Sequence, residues 1–352
     1  MQVEHTNVFY FKSLNAIGGV ESMFYYLSKR FSNMVVYYRD ADCEQVKRLS
    51  KNIEVHKWHG EHIKCKRFFG NYGLDILDYI EAEEKYFVIH CDYKKNKVCK
   101  PLVYPGFKYI AVSKLAGESF KELTGLDYEV IYNPVAIDIP NVKKKEGLHI
   151  ICAMRMSGEK GGWRVDKFSE EMDKRGIKYD LTIYTNKTKK IKFKSKNVIV
   201  KEPKLDLTKE MKEASFLIAP SDHEAFGLSV CESLTLGTPV IITDLPAYRE
   251  IGCNEENSIF LDMNMLNVGE VIDKVVKGIK PFTYSPPRSN WNKYLDNKKQ
   301  YNPDEIVEVM VLKKYTDIFL QKKLDRYTIT NQLEKMPISR AAYLEAKGLV
   351  EW

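Results

Sequence analysis

The sequence of 352 residues predicts an α/β protein built from two doubly wound domains, each with its own parallel sheet. Apolar segments of strand length alternate with longer segments whose apolar residues recur about every 3.6 positions. The alternation starts near residue 7 and starts again near residue 148, after the lysine-rich segment NVKKKEG at 141–147. Ligands of such sheets bind beyond the carboxyl ends of the strands, so two facing sheets predict a cleft between the domains.

The first domain is predicted over residues 1–140. Ser113 is a good N-cap for the helix that follows it, and Asn133-Pro134 should stop the last strand. Strands are predicted at 7–12, 34–38, 85–90, 108–113 and 128–134, and helices at 20–31 and 114–124.

The second domain is predicted over residues 141–303, and residues 285–303 read as a loop. Strands are predicted at 148–154, 179–185, 197–201, 216–220 and 239–243, and helices at 163–175, 207–215 and 227–236. Residues 304–352 are predicted to form a helix at 304–327 and a tail with a short helix that ends at Gly348. We expect this C-terminal part to pack back on the first domain.

The composition is that of a globular protein with a sizeable core, since 44% of residues are hydrophobic and 12% are aromatic. The seven cysteines are scattered and form no C-x-x-C motif, which favours reduced thiols in a cytoplasm over a zinc site or disulfide framework. The first seven residues are polar, and no apolar segment approaches the ~18 residues of a membrane-spanning helix. The sequence therefore predicts a cytoplasmic protein, with peripheral contact at the inner face of a membrane left open.

The formal net charge is +7, and nearly all of the excess lies in the second half of the chain. The densest basic segment is NKTKKIKFKSKNVIVK at 186–201. A solvated lysine loop and a surface for phosphate-rich partners both explain such a segment. Phe193 is its one aromatic residue, so stacking on nucleic-acid bases is poorly supported.

Two cations follow the strand predicted at 148–154. In ICAMRMSGEKGGW, Arg155 and Lys160 come just before a helix, and Gly161 and Gly162 allow close approach of the backbone. Cations beside a helix N-terminus suit a diphosphate group. Taken alone, both residues could equally be surface charges.

Two glutamates, Glu224 and Glu232, lie in the segment SDHEAFGLSVCESLTLGTPVI at 221–241. Glu224 is in the loop before a helix, and the amide groups of Phe226, Gly227 and Leu228 are at the start of that helix. Glu232 is about two turns further on, and the two oxygens of a carboxylate match the paired hydroxyls of a ribose. The alternative for the pair is a helix cap and a surface ion pair.

These motifs together resemble the retaining glycosyltransferases of family 4, which have the GT-B fold. MRMSGEKGG resembles the Arg-x4-Lys loop of that family, and the segment at 221–241 resembles its Glu-x7-Glu signature with the following Gly-x-Pro. VSKLAGESFKEL and VIYNPVAI resemble its interdomain segments, and AIGGVE at 16–21 its N-terminal glycine loop. The resemblance is close over residues 148–251 and follows the chain in order over roughly 1–260.

The resemblance implies a role for each matching residue. Arg155 and Lys160 would hold the donor diphosphate, and Glu224 would contact the transferred sugar. Glu232 would bind the ribose. Further contacts are implied for Gly18 and Gly19 with the phosphates, for Phe226, Gly227 and Leu228 through their amides, for His90 beside the acceptor, and for Tyr184, Thr185, Asn186, Glu202 and Pro203 around the base.

The activity implied is transfer of a sugar from a nucleotide-sugar, most simply one linked to UDP or GDP, with retention of anomeric configuration. The nucleotide-sugar is a substrate, so no cofactor is predicted. The pair Asp40 and Asp42 could hold a metal in principle, but it follows an early strand of the other domain, so we interpret it as a loop and predict no metal. The acceptor is expected to be a glycan or a lipid-linked precursor of a cell-surface polymer.

Two alternatives stay open at this point. One is a nucleotide-sugar epimerase on the same fold, which would need no acceptor. The other is a glycosyltransferase that modifies nucleic acid, which the lysine-rich segment at 186–201 suggests.

Overall fold

The computed structural model describes residues 3–96, 98–186 and 192–297, together with five strands beyond residue 305. Residues 1–297 form one compact unit, and this unit contains two separate parallel sheets. The prediction of two doubly wound α/β domains is therefore confirmed.

The first sheet has seven parallel strands. They are β1 (Val3–Leu14), β2 (Met34–Ala41), β3 (Glu54–Lys57), β4 (Ile63–Asn71), β5 (Ile80–Ile89), β6 (Phe107–Ala111) and β7 (Glu129–Val130), in the spatial order β3-β2-β1-β4-β5-β6-β7. The helices of this domain are α1 (Gly19–Arg30), α2 (Cys43–Ser50) and α3 (Lys114–Thr124). The strand order reverses between β1 and β4, which is where a doubly wound sheet opens a crevice.

The second sheet has six parallel strands. They are β8 (His149–Ala153), β9 (Asp180–Tyr184), β10 (Val198–Lys201), β11 (Phe216–Ala219), β12 (Val240–Thr243) and β13 (Ser258–Leu261), in the order β10-β9-β8-β11-β12-β13. Its helices are α4 (Gly162–Lys174), α5 (Thr208–Glu213), α6 (Leu228–Thr235), α7 (Pro246–Glu250) and α8 (Val268–Lys277). Here the order reverses between β8 and β11.

The predicted elements of residues 1–243 are present, with ends that shift by a few residues; the strand predicted at 128–134 is reduced to β7. The prediction missed α2, β3, β4, α7, β13 and α8. β4 was missed because basic residues interrupt its apolar pattern, IKCKRFFGN. β3 was missed because its four residues are mostly exposed, so they carry no apolar signal.

The two domains meet at the N-terminus of α3. Glu250 of α7 accepts hydrogen bonds from the backbone amides of Lys114 (2.6 Å) and Leu115 (3.2 Å). Ser113 caps α3 as predicted, and its hydroxyl also donates to the carbonyl of Ala225 at 2.5 Å. A carboxylate at a helix N-terminus is favoured by the helix dipole, so these contacts hold the second domain against the first.

The chain returns to the first sheet after the second domain. Trp291 is fully buried, and its ring lies 6.0 Å from that of Phe9 and 5.8 Å from that of Phe69. Lys293 forms an ion pair with Glu129 at 2.7 Å. Residues 291–297, which were predicted to belong to the second domain, therefore pack on the first.

Residues 298–352 form a second compact unit. The strands described in it are β14 (Ile306–Val311), β15 (Tyr315–Asp317), β16 (Lys322–Leu324), β17 (Leu333–Pro337) and β18 (Val350–Glu351), all paired antiparallel. The helix predicted at 304–327 is therefore wrong. Its IVEVMV segment is rich in β-branched residues, which favour a strand. The short helix predicted to end at Gly348 lies outside the described residues.

In the described parts of the chain, no helix combines the length and the apolar character that crossing a bilayer requires.

Truncation of Trp291 tests the packing of the returning segment. Trp291→Ala removes a fully buried ring and should lower the free energy of unfolding by about 3–5 kcal/mol. Urea unfolding measures this loss. The matched control is Trp163→Ala, at a side chain that is 48% exposed, and it should change stability by about 0.5 kcal/mol or less. Equal effects of the two substitutions would contradict the packing described.

Candidate active site

A cleft of about 650 Å³ lies between the carboxyl ends of the two sheets. The first domain lines it with residues that follow β1 and β4, and the second with residues that follow β8 and β11. Both pairs of strands are the points where strand order reverses, so the topology itself creates this site. The predicted cleft is confirmed.

Lys160 and Glu224 form the central pair of the second-domain wall. Lys160 Nζ lies 2.6 Å from Glu224 Oε1, and the hydroxyl of Ser221 donates to the same oxygen at 2.8 Å. The two charged side chains are only 17% and 19% exposed. The pair brings together the loop after β8 and the loop after β11, as the spacing of the motifs predicts.

Arg164 locks these two loops together, and sequence reasoning missed it. Its guanidinium is buried and donates to the carbonyl of Pro220 (3.0 Å), to Asp222 (2.6 Å) and to the carbonyl of Met263 (2.8 Å). An arginine on the buried face of α4 was the available signal, because such a residue needs several buried partners.

The loop after β8 requires glycine at position 161, where it contacts the loop after β11. The φ of Gly161 is +70°, and a Cβ built on it would lie 2.0 Å from the carbonyl oxygen of Pro220. The amide of Asp222 also donates to the carbonyl of Glu159 at 2.8 Å. Any larger residue would separate the loops that carry Lys160 and Glu224.

Arg155 lies on the cleft surface with its side chain 67% exposed. Its closest acidic neighbour is Glu159, at 3.9 Å. Across the cleft, burial raises the pKa of Glu21 and the positive charge of Arg155 counteracts part of that rise. Arg155 is thus an exposed cation of this wall, within electrostatic range of Glu21 in the first domain.

Gly18 and Gly19 are at the start of α1 and line the cleft, and their contact with the donor phosphates stays a prediction. A Cβ on Gly18 would lie 3.0 Å from Oε2 of Glu21, whereas Gly19 has open space around it. Glu21 also lines the cleft, and the sequence prediction did not single it out. The glycines keep the N-terminus of α1 open toward the cleft.

The start of α6 is arranged by Gly227, whose φ is +85°. A Cβ there would lie 2.6 Å from the ring of Tyr248, so this turn also requires glycine. Gly227 and Leu228 line the cleft, while Phe226 is buried and its ring packs near that of Tyr132. The free amides of this helix start accordingly lie at the cleft, beside Glu224.

Glu232 lines the same cleft and is bonded to the other domain. The hydroxyl of Tyr26, on α1, donates to Glu232 Oε1 at 2.7 Å. Burial raises the pKa of Glu232 to about 7, with a smaller opposing effect from the Tyr26 bond and from the charge of Arg48. Sequence reasoning missed Tyr26 and Arg48.

His90 follows β5 and lies behind the cleft wall. Its Nε2 is 2.7 Å from Asn71 Oδ1, and the Asn71 amide nitrogen donates to the carbonyl of Tyr10 at 3.4 Å. The second bond orients the amide, so Nε2 of His90 carries the proton. Burial lowers the pKa of His90 to about 3, which makes the ring neutral. Asn71 and Tyr72 line the cleft at this point, and His90 is not among the described lining residues.

The residues predicted around the nucleobase lie beside the cleft. Tyr184 and Thr185 are buried, Asn186 is exposed and Pro203 is partly exposed. The neighbouring segment 204–208 lines the cleft in their place. Their contact with a base stays a prediction.

Asp40 and Asp42 have structural partners. Asp42 caps α2 by accepting from the amide of Glu44 at 2.8 Å, and Asp40 accepts from the side chain of Asn15. In the described part of the chain, no group of three or more His, Cys, Asp or Glu residues is placed to hold a metal. In the basic segment 186–201, residues 187–191 are outside the described ranges, and Lys194 pairs with Glu170 at 2.5 Å.

Comparison with known proteins supports the same kind of site. Residues 161–294 match the family model described as "Glycosyl transferases group 1". A search of curated protein sequences gives no match. The model therefore covers the greater part of the second domain but less than half of the chain.

Several solved structures share this fold at low sequence identity. Anabaena Alr3699/HepE in complex with UDP-glucose is 14% identical, with a TM-score of 0.59 over 78% of this chain and 92% of that one. A glycosyltransferase from Rickettsia africae ESF-5 is 13% identical, with a TM-score of 0.58 over 78% and 88%. WaaG, a glycosyltransferase involved in lipopolysaccharide biosynthesis, is 16% identical, with a TM-score of 0.53 over 77% and 90%.

TarM is a longer protein, and the chain spans about half of it (47%, TM-score 0.48). The fold of residues 1–297 is GT-B, and the domain match together with this fold supports a GT-B glycosyltransferase.

Substitution of Gly161 tests the contact between the two loops. Gly161→Ala places a methyl group against the Pro220 carbonyl at a positive φ, so it should cost more than about 2 kcal/mol of stability. Chemical denaturation measures the loss. Gly158→Ala is the matched control, because it lies three residues away with open space around its Cβ position. If both variants unfold like the wild type, the close approach of the loops is wrong.

The titration of Glu232 predicts how stability depends on pH. The folded protein holds the Glu232 proton more tightly than the unfolded chain does. The stability this contributes is complete below about pH 4.5 and is lost as pH rises through about 7. Glu232→Gln mimics the neutral acid, so between pH 5 and 8 the wild type should lose about 2–3 kcal/mol more than the variant. Urea unfolding across this range provides the measurement, with exposed Glu256→Gln as the control. Superimposable pH profiles of wild type and Glu232→Gln would rule out the raised pKa.

Proposed function

We propose that the protein transfers a sugar from a nucleoside-diphosphate sugar to an acceptor hydroxyl, with retention of configuration and without a metal. The observation that carries the proposal is the Lys160–Glu224 pair in the interdomain cleft, with Arg155 and the start of α6 beside it. The family match of residues 161–294 supports it, because those residues include Glu224 and the start of α6.

The reaction breaks the bond between the anomeric carbon and the phosphate oxygen, and negative charge grows on the leaving diphosphate. Lys160 and Arg155 supply fixed positive charge on one wall, and the helix starts at Gly19 and Leu228 present free amides. An incoming diphosphate competes with Glu224 for Lys160. The cation that neutralises Glu224 in the free protein is thus transferred to the phosphates when the donor binds.

Release of Lys160 leaves Glu224 beside the transferred sugar. A carboxylate there stabilises the positive charge that develops on the sugar as the bond breaks. The new bond joins the acceptor oxygen to the anomeric carbon on the face that the diphosphate leaves, and the acceptor proton passes to the leaving phosphate oxygen. This sequence retains the configuration and balances charge without a metal. His90, as a neutral ring bonded to Asn71, acts by positioning Asn71 at the cleft surface.

The donor class follows from Glu232, whose carboxylate suits the ribose hydroxyls. A solved structure with this fold, HepE, contains UDP-glucose, and we extend only the class of donor to this chain, a sugar linked to UDP or GDP. The acceptor proposed is a glycan or lipid-linked precursor of a cell-surface polymer, used at the cytoplasmic side of a membrane.

Substitution of Lys160 tests this function. A thermal-shift screen of UDP, GDP and ADP sugars first identifies the donor, because a bound ligand raises the melting temperature. At saturating donor, Lys160→Ala should reduce turnover about 100- to 1,000-fold, because a cation aimed at the leaving group acts mainly in the transition state. The matched control is Lys178→Ala, at an exposed lysine of the same domain, and it should turn over normally.

The same assay, run with excess chelator and run without acceptor, tests the role of a metal and distinguishes a transferase from an epimerase. Excess chelator should leave the rate unchanged if no metal takes part. An epimerase would convert the donor sugar in the absence of acceptor, whereas a transferase requires one. Normal turnover of Lys160→Ala would remove the main support for the proposed function.

A further inference from the structure

The first domain builds a wall opposite Glu232. Helices α1 and α2 place Tyr25, Tyr26 and Arg48 along the cleft, facing Glu232 and the segment 204–208 of the second domain. If the function proposed above is correct, this is the part of the cleft that receives the nucleoside. The wall is therefore a candidate for direct contact with the donor from the domain opposite to its main site.

Tyr26 is the first element of this wall. Its side chain is 5% exposed, and its hydroxyl donates to Glu232 Oε1 at 2.7 Å across the domain boundary. A carboxylate has two oxygens, so this bond fixes the orientation of Glu232 while Oε2 stays available to a ligand. Tyr26 is thus a positioning residue for the carboxylate that the proposed function assigns to the ribose.

Arg48 is the second residue of this wall, and one of its guanidinium nitrogens has no hydrogen-bond partner among the described residues. Its guanidinium carbon lies 3.8 Å from the centre of the Tyr25 ring, which is a stacking distance. Nη1 is shielded from solvent and has no hydrogen-bond partner among the described residues. Lys29 lies near the same ring, but its ammonium group is satisfied by the Ala136 carbonyl (3.1 Å) and by Asp138 (2.6 Å).

The surroundings of Arg48 indicate what would satisfy it. Burial raises the pKa of Glu232, the charge of Arg48 opposes that rise and the negative charge of Asp206 adds to it, so both groups lie within electrostatic range of Glu232. Within the described ranges, no ion pair joins Arg48 to either carboxylate. A shielded N–H without a partner is unfavourable, and a rotation of the guanidinium plane over the Tyr25 ring would turn its donors toward an oxygen atom in the cleft.

We propose that both domains bind the nucleoside of the donor. A guanidinium N–H of Arg48 donates to an oxygen of the nucleoside, and Tyr26 orients Glu232 for the ribose hydroxyls. The nucleoside oxygen that accepts this hydrogen bond belongs either to the ribose or to a carbonyl of the base. The phosphates are bound by Arg155 and Lys160. The nucleoside and the diphosphate of the donor are therefore recognised by separate sets of cations.

Calorimetry with the full-length protein tests this division. Arg48→Met keeps a long side chain over Tyr25 but removes the donors. It should weaken binding of the nucleoside diphosphate that the protein prefers by at least about 10-fold, the usual effect of losing a charged hydrogen bond. Inorganic pyrophosphate lacks the nucleoside, so its affinities for the wild type and for Arg48→Met should differ by no more than about twofold. The matched control is Arg30→Met: Arg30 lies over the Phe31 ring at 5.4 Å, and it is not among the described residues of the cleft.

Nucleotide analogues identify which nucleoside oxygen accepts the hydrogen bond from Arg48. If the ribose supplies it, the 2′-deoxy analogue should bind wild type and Arg48→Met alike. If the base supplies it, the deoxy analogue should remain sensitive to the substitution, whereas ADP, whose base has no carbonyl, should be insensitive. Tyr26→Phe should weaken the binding of nucleoside diphosphate several-fold and leave the affinity for pyrophosphate unchanged.

Three results would overturn the proposal or its premise. Unchanged affinity of Arg48→Met for nucleoside diphosphate removes the contact, and equal losses for nucleoside diphosphate and pyrophosphate assign Arg48 to the phosphates. Failure of the wild type to bind any nucleoside diphosphate removes the proposed function itself, which is a distinct outcome. Arg48→Lys covers the case in which Arg48→Met does not fold. It keeps the charge but lacks the planar fork, so the loss specific to the nucleoside should persist.

Discussion

The candidate site depends on one buried guanidinium. Arg164 follows the loop after β8 and connects it to the loop after β11 and to the turn at Met263, because it donates to the carbonyls of Pro220 and Met263 and to Asp222. Because Arg164 is held by α4, it fixes the loops to a rigid element. The short distance between Lys160 and Glu224 is a consequence of this connection, as is the close approach at Gly161.

Hydrogen bonds between the two domains determine how the first domain faces this site. Glu250 and Ser113 join the N-terminus of α3 to the second domain, and Tyr26 joins α1 to Glu232. Polar contacts therefore take part in fixing the relative position of the two walls that line the cleft.

The sequence predicted those features that depend on local pattern. The buried strands β8, β11 and β12 read as continuous apolar segments. The family resemblance of the motifs indicated Arg155, Lys160, Glu224 and Glu232, and all four line one cleft. The helix predicted at 304–327 failed because apolar residues in that segment satisfy both a 3.6-residue and a two-residue period, and β-branching decides between them.

The features that the sequence did not predict depend on long-range contacts. Tyr26 and Glu232 are separated by 206 positions, and no local pattern marks a tyrosine on the apolar side of α1 as a hydrogen-bond donor to the other domain. The same holds for Arg48, which is distinguished by a shielded nitrogen without a hydrogen-bond partner among the described residues, and for Arg164, whose partners come from two separate segments.

The return of the chain at Trp291 also has a mechanical consequence. The backbone passes between the domains twice, once over residues 131–147 and once over residues 278–290, and the second passage is anchored in the first sheet by a buried indole. Two connections restrain the relative movement of the domains more than a single one would, and the second cannot be drawn away from the first sheet without exposing the indole of Trp291. The extent to which the cleft can open is therefore limited by residues 131–147 and 278–290 together.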